Sequence, residues 1–274
     1  EVGPLNTMKN LRLSKIKTAV ILAAGMGIRL RELTGVSPKG LLKIGGSSLI
    51  IRSLELLKKE GIDRVIIVTG FQEKMYHEHL DNLANIPNVE FIKSPRYAET
   101  GSMHSLFVAK DLIDEDFLLL ESDLLYESRA LPSVLNFDGP DVVLASGKTG
   151  SNDEVFIYGE NTGDFSEFES TSDTTSGEIK VISKRPCKHL SIRGELVGIS
   201  KISLNLFKIM CSHHASNLIF PCSNHYEECI SDVCSKKKVP FLRIGNLVWT
   251  EIDDQSHYDR AIKEIYPKIS RKEL

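Results

Sequence analysis

Lys17-Thr18-Ala19-Val20-Ile21-Leu22-Ala23-Ala24, followed at once by Gly25-Met26-Gly27-Ile28-Arg29-Leu30, is the most informative run in this chain. Its first half is continuously apolar, short and closed by glycine, which predicts a strand buried on both faces. The two glycines then let the backbone turn sharply and present N–H groups to a ligand, as a phosphate cradle does. Leu30 stands where a dinucleotide fingerprint would place its third glycine, and no G-x-x-x-x-G-K-[ST] run is present. What sharpens the stretch is Arg29 inside the turn and Pro38-Lys39-Gly40 shortly after it.

Outward from this turn the pattern alternates. Ser48–Glu60 carries Leu49, Ile50, Leu54 and Leu57 at helical spacing and stops at Gly61. Arg64–Thr69 reads as a buried strand, Gln72–Leu83 as a helix, Val89–Ile92 as a strand, Ser102–Lys110 as a helix, and Phe117–Glu121 and Val142–Ala145 as strands. Strands alternating with helices predict an α/β fold, a mostly parallel sheet sandwiched by helices. Right-handed crossovers would place the strand ends, and hence any ligand, on one edge.

After Ala145 the spacing changes. Glu154–Tyr158, Ile179–Ser183 and Leu196–Ile202 look like strands, with the polar stretch Asn161–Gly177 expected as a loop between them. Leu204–Met210 and Tyr226–Cys234 look helical, Val239–Ile244 extended, and Asp254–Ile265 a last helix with an acidic N-cap. The expected organisation is an N-terminal tail over 1–16, in part a cloning remnant ahead of Met8. A single domain over 17–266 follows, with a small β-rich lobe near 146–200, and then a C-terminal tail over 267–274.

Composition narrows the function. Of 274 residues 41% are hydrophobic and 26% charged, enough for a full core. The net charge of −3 argues against a nucleic-acid binder driven by bulk positive charge. No apolar run approaches the ~20 residues of a membrane helix, so no membrane partner and a cytoplasmic location are expected. Five cysteines, an odd number, fit reduced thiols. Cys211, Cys222, Cys229 and Cys234 cluster with His213, His214 and His225, but their gaps match no common zinc module, and ordinary thiols are the favoured reading.

LAAGMGIRL (Leu22–Leu30) followed by SPKGLLKIGG (Ser37–Gly46) resembles the signature of the sugar-phosphate nucleotidyltransferase superfamily, roughly L-A-G-G-x-G-x-R-L and then P-K. Ala24 takes the place of one glycine. Tyr97–Leu106, Leu118–Tyr126, Ala145–Val155, Gly194–Ser200 and Trp249–His257 resemble the cytidylyltransferases that act on phosphocholine and on 2-aminoethylphosphonate, the GSM and ESDLLY segments leaning to the latter. The resemblance implies a Rossmann-like α/β sandwich with a small acceptor lobe. It also implies a Mg²⁺-dependent enzyme moving CMP from CTP to 2-aminoethylphosphonate with release of pyrophosphate, for phosphonate conjugate biosynthesis.

The residue types suit that chemistry, in which positioning and charge neutralisation carry the rate. Arg29 can fork onto phosphate oxygens and Lys39 can supply a point charge, the expected catalytic pair. Leu22, Ala23, Ala24, Gly25 and Gly27, with Arg29, Lys39 and Asp123, would hold the nucleotide, and Gly70 with Thr100, Gly101 and Ser102 its base and ribose. Asp123 follows a buried strand, and Glu251 and Asp253 alternate on an extended segment; the resemblance assigns these three to the metal. Glu121 and Asp254 are candidates for support around them. For the acceptor, Asp153 is expected to meet an ammonium and Lys184 a phosphonate, with Ser146 beside them and Glu195 in reserve.

Plainer readings exist: Asp253 or Asp254 as a helix cap, Ser102 as the cap of the helix after it, His257 as a helix-surface residue. A phosphocholine or other sugar- or alcohol-phosphate nucleotidyltransferase is the alternative enzyme, and a nonenzymatic nucleotide sensor the alternative of another class. The expected partners are CTP and a small acceptor, with a homodimer left open.

Overall fold

The computed structural model describes residues 16–30, 35, 37–81, 83–160 and 173–273. The opening apolar run is β1 (Thr18–Ala23), buried at every position. After it come the short ribbon β2 (Lys43–Ile44) and β3 (Ser47–Ser48), then β4 (Arg64–Thr69), β5 (Asn88–Lys93), β6 (Phe117–Glu121), β7 (Leu124–Tyr126) and β8 (Val142–Ser146). The second half supplies β9 (Phe156–Glu160), β10 (Thr174–Glu178), β11 (Val181–Ser183), β12 (Leu190–Ile202), β13 (Pro240–Ile244) and β14 (Trp249–Glu251).

Ten of these strands form one sheet, ordered β10-β13-β8-β12-β6-β1-β4-β5, with β9 and β11 attached beside β12. The fold is the expected helix-covered α/β sandwich. The sheet is mixed, however. β1, β4, β5 and β6 pair in parallel, whereas β12 enters antiparallel between β6 and β8. Thr174–Glu178, expected as loop, is a strand pairing antiparallel with Pro240–Ile244. Its polar sequence fits an edge position, half open to water. Residues 161–172 of that expected loop lie outside the described residues, as does most of the expected N-terminal tail.

This topology places the site. In the parallel half Ala23 pairs with Thr69 and Leu22 with Glu121, so the turns after β1, β4 and β6 share one edge. Because β12 runs the other way, its earlier part meets the end of β8, with Glu195 opposite Ser146.

Helices cover both faces. α1 (Leu49–Lys59) starts at the Ser48 cap, whose hydroxyl accepts the Ile51 N–H, and α2 (Glu73–Leu80) lies on the same face. α3 (Ser102–Val108) covers the other. α4 (Ala130–Leu135) returns to the α1 side, and α5 (Leu204–Ser216) and α6 (Tyr226–Val233) pack with α3. The last helix starts with α7 (Gln255–Arg260) at its Asp254 cap and passes through a π turn into α8 (Tyr266–Glu273). Ile265 and Ile269 bury against Leu30, Leu49 and Leu125, so the C-terminal segment packs on the core.

A separate ribbon pairs β14 with β7 and sets Glu251 opposite Leu124. Glu127 clamps it. Its buried carboxylate accepts the Val248 N–H at 3.0 Å and pairs with Arg129 and Lys272. Burial alone would raise this carboxyl, but those partners outweigh it and hold it below its ordinary value. A lowered folded-state value gives stability that is present above the unfolded value and lost as pH falls through the folded one. Glu127→Gln should therefore lower unfolding free energy by about 1–3 kcal/mol at pH 7. In urea melts the gap to the parent protein should close as pH drops below ~4.

Candidate active site

The common sheet edge opens into a cleft of about 520 Å³. Its floor begins with the glycine turn. Gly27 takes φ +54°, and a Cβ there would stand 2.9 Å from Lys39 Cγ. The glycine thus permits the left-handed turn and gives the lysine stem its passage. Arg29 sits in the single 3₁₀ turn that follows, its side chain about half exposed at 56%. Lys39 opens a second such turn after Pro38.

Lys39 is the electrostatic centre. Its Nζ lies 2.9 Å from Asp123 and also bonds Asp253. Burial opposes its charge, yet Asp123 and Asp253 outweigh burial and hold the ammonium above the ordinary lysine range. Arg29 spans Asp153 at 2.9 Å and Asp253 at 3.1 Å. Burial would raise Asp253, but Lys39 and Arg29 override it and hold this carboxyl down at about 2. Asp123 and Asp253 meet because the backbone N–H of Ile252 bonds Asp123 O at 3.1 Å, extending the β7–β14 ribbon.

Beside the lysine stands a crowd of carboxylates. Glu121, Asp123 and Glu251 each bring an oxygen to within 4.8 Å of the others. Burial, then Asp123 and Glu227, push Glu121 up to about 8, against the Tyr226 hydroxyl that donates to it at 2.8 Å. Burial and the same crowd raise Glu251 well above its ordinary value. Charges that disfavour one another so strongly, offered as hard oxygens, fit a divalent cation of the Mg²⁺ type. Glu121 is the third member of this group, and Asp253, expected from the sequence as a ligand, pairs with Lys39 and Arg29 beside it.

Most of the predicted site converges. Leu22, Ala24, Gly25, Gly27, Arg29, Lys39, Thr100, Gly101, Ser102, Asp123, Asp153, Lys184, Glu195, Glu251 and Asp253 all line the cleft. Ala23, Gly70 and Ser146 do not. Ala23 is buried within β1, Ser146 bonds the Gly147 carbonyl, and Gly70 is covered by Tyr97, 2.7 Å from where a Cβ would be. Gly101 serves a packing need as well: a Cβ would stand 2.3 Å from the Asn224 carbonyl oxygen. Ser102 is the first residue of α3 rather than its cap, and its hydroxyl accepts the Tyr226 N–H at 3.1 Å.

Several wall residues were missed. His257 is buried, not on a helix surface; its ring bonds the Asp253 N–H at 3.4 Å and approaches the Ser151 carbonyl at 3.1 Å. Tyr76, Trp249 and Glu227 also line the cleft. Tyr76 and Glu227 sit on α2 and α6 and Trp249 on β14, and no local spacing marks their side chains as facing a cleft. Glu195 accepts from the Thr149 N–H and hydroxyl at 2.8 and 2.7 Å, and burial pushes it up to about 7.

With this geometry in place, comparison with known proteins becomes specific. Residues 18–142 match the nucleotidyl transferase family model. The chain is 31% identical over 110 residues to a choline-phosphate cytidylyltransferase of Streptococcus pneumoniae, covering 40% of this chain and 46% of that protein. It is 28% identical over 128 residues to the CMP-5'-(3-aminopropyl)phosphonate synthase of Streptomyces rubellomurinus, covering 47% of this chain and 20% of that one. The chain spans less than half the length of the first curated relatives it matches. In fold it superposes on the inositol-1-phosphate CTP transferase from T. maritima with a TM-score of 0.74, at 21% identity, over 93% of this chain and 96% of the other. Among the described residues no helix is long and apolar enough to cross a membrane.

The crowded carboxylates generate a direct test. Burial and negative neighbours raise both Glu121 and Glu251 and so favour their protonated forms, and a divalent cation bound there would displace protons. Titrating Mg²⁺ in buffers of different ionisation enthalpy should show release of about one proton per ion bound. Glu121→Gln should reduce that release. Binding with no proton release would contradict the assignment.

Proposed function

We propose that the chain is a Mg²⁺-dependent cytidylyltransferase that moves CMP from CTP to 2-aminoethylphosphonate, releasing pyrophosphate. The observation that carries nucleotidyl transfer is the convergence of the glycine turn, Arg29, Lys39 and the Glu121–Asp123–Glu251 group on one cleft. The choice of CTP draws on the relatives named above, several of which handle cytidine nucleotides.

In this reading a phosphonate oxygen attacks the α-phosphorus, a new P–O bond forms, and the bond to pyrophosphate breaks. Lys39 and Arg29 would turn from their carboxylates to the phosphate oxygens, where their charge counts most as negative charge shifts to the leaving group. Glu121, Asp123 and Glu251 would hold the Mg²⁺, which when bound neutralises phosphate charge. The backbone of Ala24–Gly27 would sit against the triphosphate, and Thr100–Ser102 against the nucleoside.

Charges beside Arg29 in the cleft support a zwitterionic acceptor. Lys184 pairs there with Asp153, the two residues expected to hold opposite ends of the acceptor. An aminophosphonate could replace both halves of that pair, its ammonium on Asp153 and its phosphonate on Lys184, without leaving either charge unmatched. Glu154, Glu195 and Glu227 add carboxylates, and one Glu227 oxygen is buried without a hydrogen-bond partner. Val155 and Leu196 line the wall beside them, while Phe156 and Tyr158 do not. A quaternary ammonium is better served by an aromatic cage; Tyr76, Tyr97 and Trp249 line the cleft, and phosphocholine is the second reading.

Pyrophosphate release with CTP, Mg²⁺ and each acceptor tests the assignment. Turnover is expected with 2-aminoethylphosphonate and much less with phosphocholine; the reverse order would replace the acceptor, and release with neither would remove the activity. Lys39→Ala should cut kcat by roughly 10²–10³-fold with circular dichroism unchanged.

A further inference from the structure

The Cys/His-rich stretch finds its partner outside itself. His214, late in α5, faces His104 of α3, and Cys222 closes the triangle from the loop before α6. All three are buried, and their donor atoms lie within 4.8 Å of one another. His104 Nδ1 and His214 Nε2 are 3.1 Å apart. Two nitrogens bound at ~2.0–2.1 Å to a tetrahedral ion stand about 3.3 Å from each other, so the rings are already near ligand spacing. A hydrogen bond between the rings explains that contact alone. It does not explain why a buried free thiol converges on the same point.

Aromatic rings surround the triangle. The Phe107 ring lies 5.2 Å from His214, and Phe220 stands edge-on 5.3 Å from His104. The nearby cation, Arg96, stacks on Phe220 and is matched by Glu99 at 2.7 Å. Cys211, Cys229 and Cys234 take no part in the triangle.

We propose that His104, His214 and Cys222 bind a Zn²⁺ ion, with the fourth position left to water or a small anion. Two imidazoles and a thiolate are borderline-soft donors that suit zinc and not Mg²⁺. As the Zn–S bond forms, the Cys222 thiol gives its proton to solvent. The ion acts as a staple. The Cys222 N–H bonds the Glu99 carbonyl at 3.1 Å and its own carbonyl accepts the Gly101 N–H at 2.8 Å. Zinc would therefore pin the loop against Thr100–Ser102, one wall of the cleft.

The test uses the full chain, stripped with chelator, kept reduced and titrated with Co²⁺. One equivalent should produce a near-ultraviolet thiolate-to-cobalt charge-transfer band and tetrahedral visible bands, both abolished by added Zn²⁺, and zinc should raise the melting temperature. Asp123→Asn should keep the charge-transfer band, and Cys222→Ser should lose it. Zinc-edge X-ray absorption on the parent protein needs no variant and should show one sulfur and two imidazole nitrogens. Absence of the band in the parent protein, its survival in Cys222→Ser, or a zinc shell without that sulfur would overturn the proposal.

Discussion

The ammonium of Lys39, held in a largely buried position between Asp123 and Asp253, is the contact on which the cleft depends. A buried charge is tolerated only when paired, and removing one partner of such a pair costs ~3–5 kcal/mol. The requirement ties together three distant segments: the turn after Pro38, the end of β6 and the segment beyond β14. The β7–β14 ribbon, locked by Glu127, keeps the two aspartates at a common distance. Gly27 is needed at the other side, where a side chain would block the lysine stem. Scaffold and chemistry therefore share one constraint.

The same constraint leaves the site ready to exchange partners. Lys39, Arg29 and Lys184 are each satisfied by carboxylates, while Glu121 and Glu251 are held up by burial and by their negative neighbours. A polyphosphate with its cation would reverse both conditions, giving the cations phosphate oxygens and the carboxylates a metal. The His104–His214–Cys222 triangle adjoins Thr100–Ser102 through the Cys222 backbone bonds to Glu99 and Gly101, where a bound zinc would shape the wall.

Much of this was legible in the sequence. β1 and β6 read directly because continuous apolar runs closed by glycine or acid have few other solutions; Arg29 and Asp123 stand just past those runs, whereas Lys39 and Glu251 came from the resemblance to a known signature. What was hidden depended on distant pairing. β12 joins antiparallel, and a single strand carries no mark of its neighbour's direction. Thr174–Glu178 is polar enough to read as loop because only one of its edges is paired. Glu121 joins Asp123 and Glu251, and Lys39 and Arg29 both reach Asp253, a three-body contact that spacing does not encode. His257 lies on a helix facing inward, and His104 is more than a hundred residues from His214, so local spacing could reveal neither role.

The most direct test is a crystal structure of the chain with CTP and Mg²⁺. The account predicts the triphosphate over Gly25–Arg29, Lys39 Nζ withdrawn from at least one aspartate onto a phosphate oxygen, and the ion among Glu121, Asp123 and Glu251. Nucleotide bound elsewhere, or seated in the cleft with the Lys39 pairs intact and the carboxylates empty, would contradict it.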